Sequence, residues 1–258
     1  MLCGAVCSLL VLSAHGGETT RTFAFHDTEL LNPGQSEGGI AFVPGEIEAR
    51  ASAPLVVFLH GVNDPRALHL GLRKGDDAMI RLTRELARSG TRFIVAAPSH
   101  TRGANAAELL FPGFDLDELV SATESALGDR VRVDRSRVIV VGHSGGGCNP
   151  TGGLIRAALV PGSVQPFAFV AADTCLGAYV GDALESAAAH AKVRVFWQTW
   201  MWPRASDAFQ RSFCDPSVAS ARDVRCEVLA LTGADAHDQV LGVGLRRVLP
   251  ELLNHSAP

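Results

Sequence analysis

The sequence predicts an α/β fold: a mostly parallel, doubly wound sheet of about eight strands with helices on both faces. Three observations carry this expectation. Short apolar runs recur along the chain, segments of helical period lie between most of them, and one run leads straight into a serine set among glycines, RVIVVGHSGGGCNP. The chain has 258 residues, 47% of them hydrophobic and 19% charged, enough to bury a full core without a second domain.

Taken in order, the first 16 residues, MLCGAVCSLLVLSAHG, combine an apolar stretch with small residues at Ala14 and Gly16. They read as a signal peptide removed on export, too short to span a bilayer. Residues 17–258 then form a single domain, in a secreted or periplasmic location. Strands are expected at residues 23–26, 40–43, 55–59, 93–97, 138–141, 167–171, 193–199 and 227–231, each a short run rich in β-branched or aromatic residues. The Gly/Pro/polar stretch between the first two reads as a hairpin-like connection. Helices are expected at 76–88, 117–127, 153–159, 182–189 and 239–253, where apolar residues recur every three or four positions. No repeat or Pro/Ser-rich linker divides the series.

Charge and cysteine usage narrow the function classes. The net charge is −4 with acidic and basic residues interspersed, so no basic stripe is offered to nucleic acid or an anionic membrane. Of six cysteines, Cys148, Cys175, Cys214 and Cys226 remain beyond the leader. An even number in an exported chain favours disulfides, and the absence of C-x-x-C spacing argues against zinc. Adjacent strand–helix units would bring Cys148 to Cys175, and Cys214 and Cys226 flank the approach to the last strand, so these two pairs are expected. No metal or cofactor is implied.

Ser144 lies just past the end of a buried strand, in the G-x-S-x-G frame of Gly142 and Gly146. Glycines there let strand and helix pack around a strained turn that holds a hydroxyl outward at a helix N-terminus. A phosphate loop would need G-x-G-x-x-G or a G-K-[ST] ending, and neither is present. With GHSGG after one strand, LHG after an earlier one and a late histidine after the last, the chain resembles the α/β-hydrolase superfamily of serine esterases and lipases.

That resemblance implies a fold, a mechanism and a set of roles. Ser144 is the nucleophile, His237 in the loop after the last strand is the general base, and the Val62 and Gly145 amides form the oxyanion hole. The acid usually follows the second strand after the nucleophile strand, which favours Asp207. Asp173, at the end of the intervening strand, is the alternative, with Asp215 a more distant one. RASDAFQRSF also reads as a helix start, where Asp207 would serve as a cap. His60 and His143 are read as structural. His100, Trp200 and Trp202 leave strands at the same end and are candidate substrate contacts. The expected activity is hydrolysis of a small-molecule or polymer carboxylic ester. An amidase or peptidase using the same residues, and a non-catalytic binding protein on the same fold, are the alternatives.

Overall fold

The computed structural model describes residues 17–25, 38–62, 77–98, 110–200, 207–219 and 222–254. The expected signal peptide lies outside them, as do His100 and Trp202. The strands are β1 (Thr19–Ala24), β2 (Gly38–Val43), β3 (Ser52–Leu59), β4 (Ile94–Pro98), β5 (Arg132–His143), β6 (Ala168–Ala172), β7 (Lys192–Trp197) and β8 (Val224–Val228); the apolar runs of β2–β4 and β6–β7 are largely buried, while the edge strands β1 and β8 are largely exposed. They form one eight-stranded sheet in the order β1-β2-β4-β3-β5-β6-β7-β8. β1 and β2 pair antiparallel, β2 meets β4 antiparallel, and every later pairing is parallel.

Side-chain alternation divides the core in two. Leu55, Val57 and Leu59 of β3, with Val138 and Val140 of β5, face one apolar cluster, while Val56, Phe58, Ile139 and Val141 face the other. The first cluster is closed by α2 (Leu116–Leu127), α3 (Gly153–Leu159), α4 (Ala178–Ala187) and α5 (Asp207–Phe213). The second is closed by α1 (Ala78–Arg88) and α7 (Ala236–Asn254). The doubly wound arrangement expected from the sequence is present, with a further short helix, α6 (Pro216–Ala219), before β8.

Element ends show where local chemistry overrides periodicity. α2 begins at Leu116 because the Asp115 carboxylate accepts from the Glu118 amide at 3.0 Å, capping the first turn. α7 begins at Ala236, ahead of the expected residue 239, because the Asp235 carbonyl already accepts from the Gln239 amide at 2.9 Å and Ala236 is buried. His237 therefore stands in the first turn of a helix and not in a free loop. Two disulfides join Cys148 to Cys175 and Cys214 to Cys226, with Cα–Cα distances of 5.0 and 5.7 Å, as the sequence led us to expect. Among the described residues no helix is long and apolar enough to cross a membrane.

Candidate active site

The carboxyl ends of β3, β5 and β6 meet at Ser144. β5 runs through His143 and turns at once, and Ser144 opens the tight 3-10 turn Ser144–Gly147 with φ +51°. A non-glycine residue in that region is uncommon and costs about 1–3 kcal/mol, so the surrounding contacts must hold it there. The glycines permit those contacts. An added Cβ at Gly142 would come within 2.9 Å of Leu154 in α3, and one at Gly146 would collide with the Leu59 carbonyl at the end of β3.

The loop after β3 comes directly against Ser144. A Cβ at Gly61 would lie 2.7 Å from Ser144 Cβ and 3.1 Å from its Oγ, with the Gly145 amide nitrogen 3.5 Å away. Val62, the next residue, is half exposed at the rim, while Gly145 is buried. Both expected amide donors thus belong to segments that adjoin the serine. His60 is wholly buried, its Nδ1 donating to the Gly61 carbonyl at 2.7 Å and its ring set edge-on to Phe111 with centroids 5.1 Å apart. It shapes this loop, the structural part assigned to it above.

The acid beside His237 is Asp173, not Asp207. Asp173 directly follows β6 and is fully buried, and its Oδ2 accepts from His237 Nδ1 at 2.5 Å. It too has a left-handed backbone, φ +44°, in a residue type whose short polar side chain tolerates that region. Its own amide donates to the Phe196 carbonyl at 2.8 Å, so β6 remains tied to β7 up to the turn. Asp207 opens α5 with its side chain 85% exposed, 3.9 Å from Arg211 one turn on. A carboxylate at a helix start is favoured by the positive end of the helix dipole, and Asp207 stands at such a start. Asp215 caps α6 through the Ser217 amide at 2.8 Å.

Sequence reasoning missed the groups that hold Asp173. The Gln198 side-chain Nε2 donates to Oδ2 at 3.0 Å and its backbone amide faces Oδ1 at 3.4 Å. Thr174 Oγ1 donates to the Ser144 carbonyl at 2.7 Å, and the Tyr179 hydroxyl donates to the Cys148 carbonyl at 3.1 Å. With the Cys148–Cys175 disulfide, these contacts bind the serine turn to the acid loop. Gln198 lay inside the strand expected at 193–199, which ends at Trp197; a polar residue within an apolar run was the available signal, and spacing alone gave it no role.

His143 packs against His237. Its ring stacks on His237 with centroids 4.7 Å apart, and its Nε2 is 3.4 Å from the His237 carbonyl, which can accept from it. Burial, followed by the neighbouring His237, pushes the His143 pKa down to about 4, so it stays a neutral spacer under the base. Of the candidate substrate residues, Trp200 is 62% exposed two positions beyond Gln198, whereas Trp197 is core.

A strained serine after the fifth strand, a histidine opening the last helix and a buried carboxylate behind it complete an arrangement built on a mostly parallel eight-stranded sheet. The chain has the α/β-hydrolase fold. No protein-family model matches the sequence, and no relative among curated proteins does, but solved structures match nearly its whole length. A ferulic acid esterase superposes with a TM-score of 0.61 at 14% identity, covering 93% of this chain and 99% of that one. The substrate-bound fluorophosphonate-binding serine hydrolase F of Staphylococcus aureus gives 0.55 at 12%, covering 93% and 100%. An acylaminoacyl peptidase of Pyrococcus horikoshii gives 0.55 at 13%, covering 94% of this chain and 43% of that one. At such identities the shared property is the α/β-hydrolase fold.

Proposed function

We propose that this chain is an exported serine hydrolase that cleaves carboxylic esters through Ser144, His237 and Asp173. The observation that carries the reading is the 2.5 Å contact between His237 Nδ1 and the buried Asp173 carboxylate. It commits one ring nitrogen to the acid and leaves Nε2 as the nitrogen able to take a proton. Ser144 Oγ attacks the ester carbonyl as Nε2 removes its proton, and the oxyanion is received by the Val62 and Gly145 amides. His237 then protonates the leaving alcohol, and an acyl group remains on Ser144. Water attacks that acyl group by the same proton relay, releasing the acid and restoring the serine.

Throughout, Asp173 holds the imidazole in one tautomer and stabilises the imidazolium formed at each attack. The preference for esters is supported by the likeness to a ferulic acid esterase over 99% of that chain. Export is supported by the apolar leader and by two disulfides, which persist in oxidising compartments. The test is hydrolysis of short-chain p-nitrophenyl esters together with fluorophosphonate labelling. Wild type should do both, and Ser144→Ala should do neither while keeping the wild-type circular dichroism spectrum. A folded wild-type protein inert to the esters and the probe, or a Ser144→Ala variant still labelled, would overturn the reading.

A further inference from the structure

We propose that Gln198 is a positioning residue of this site, a fourth member that fixes the Asp173 carboxylate and tunes the basicity of His237. The inference rests on the triad reading above and adds to it a residue outside the triad.

Gln198 is the first residue beyond β7 and is fully buried. Its backbone amide and side-chain Nε2 approach the two oxygens of one carboxylate, Oδ1 at 3.4 Å and Oδ2 at 3.0 Å. Oδ2 is also the oxygen that receives His237 Nδ1. A buried carboxylate needs donors to offset its desolvation, and the choice of donor sets what the carboxylate can do for its neighbour. An arginine or lysine there would cancel the negative charge and weaken the stabilisation of an imidazolium. A neutral amide orients the carboxylate and leaves its charge for His237. The strand end that usually supplies the acid in this fold supplies here the group that grips an acid from the neighbouring strand.

Other groups near His237 do not reproduce this. His237 meets Asp173 from the end of β6 and stacks on His143 from the end of β5, with Asp238 next to it in α7. His143 stays neutral in the working pH range. Gln198 therefore acts on His237 through Asp173, whose carboxylate it holds.

The test is Gln198→Met, which removes the side-chain donor at similar volume, compared with wild type and Gln198→Glu. With Oδ2 left to His237 alone, the imidazolium is favoured. The acidic limb of the kcat/KM profile should move up by about half a pH unit or more, and kcat should fall about tenfold with KM within about twofold of wild type. In Gln198→Glu the new carboxyl, buried against Asp173, is protonated and donates to Oδ2 as the amide does, so this variant should keep the limb near its wild-type position. In wild type, the Gln198 side-chain amide resonances in a nitrogen-15 spectrum should titrate with the midpoint of His237.

A folded Gln198→Met enzyme with wild-type kcat and an unmoved acidic limb would overturn the proposal. So would amide resonances that stay flat while His237 titrates, and that measurement decides alone if neither variant folds. Wild-type protein that is inert to esters and probe would overturn the hydrolase reading instead, and the amide titration would still judge the Gln198–Asp173–His237 linkage.

Discussion

An aspartate directly follows β6 and another opens α5, and the two stand in opposite environments. Asp173 is fully buried and locked between His237 and Gln198, on a backbone bent into the left-handed region. Asp207 is 85% exposed at a helix start, 3.9 Å from Arg211. Chain position before the late histidine favoured the second, and burial with complementary donors selects the first. Charge placed in low dielectric acts strongly on its neighbours, whereas an exposed charge is screened by water.

The largest expected effect sharpens this contrast directly. Asp173→Asn should lower kcat by about a thousandfold or more, since an amide can present its N–H to Nδ1 and hold the wrong tautomer. Asp207→Asn should stay within about twofold of wild type and cost a few tenths of a kcal/mol in thermal denaturation at most. Equal losses in ester turnover for the two would erase the distinction.

The disulfides extend the comparison to the same two regions. Cys148–Cys175 ties the turn bearing Ser144 to the loop bearing Asp173, while Cys214–Cys226 links the segment after α5 to β8. Loop closure assigns each about 3–4 kcal/mol of stability in the chain-entropy account, slightly more for the longer loop. Replacing the first pair by serines should therefore cost both stability and kcat, and replacing the second pair should cost stability alone. Chemical denaturation and ester kinetics on the two double variants separate these outcomes.

Much of this was legible in the sequence because it is written in local pattern. The strand series, most of the helices and the serine turn follow from apolar periodicity and glycine spacing, the late histidine from the chain order that the family resemblance implies, and the disulfide pairs from the adjacency of strand–helix units. The acid was not, because its identity depends on how far a neighbouring strand extends. β6 ends at Ala172, and one further residue in a left-handed turn puts a carboxylate under the imidazole. Nothing in FAFVAADTC marks that turn in advance. Gln198 was illegible for a related reason, as an amide gains meaning only from the carboxylate it meets. The start of α7 was misplaced by three residues because Asp235 closes the first turn through its backbone, which hydrophobic period does not register.

A smaller effect concerns His143, buried against His237. Its pKa is held down at about 4 against an ordinary 6.5, so the unfolded chain binds a proton that the folded protein refuses. Its contribution to stability is complete above pH 6.5 and is lost as pH falls from there toward 4. Thermal denaturation between pH 7 and 4 should show this loss, and His143→Gln should flatten that part of the profile.

The central claim is that Asp173, and not Asp207, makes His237 a base for Ser144. The most direct measurement is the second-order rate of fluorophosphonate labelling, with the modified peptide located by mass spectrometry, in wild type, Asp173→Asn and Asp207→Asn. The account predicts modification of Ser144 in wild type, a near-wild-type rate for Asp207→Asn and a rate at least about a hundredfold lower for Asp173→Asn. A fully reactive Asp173→Asn protein beside a silenced Asp207→Asn protein would contradict it.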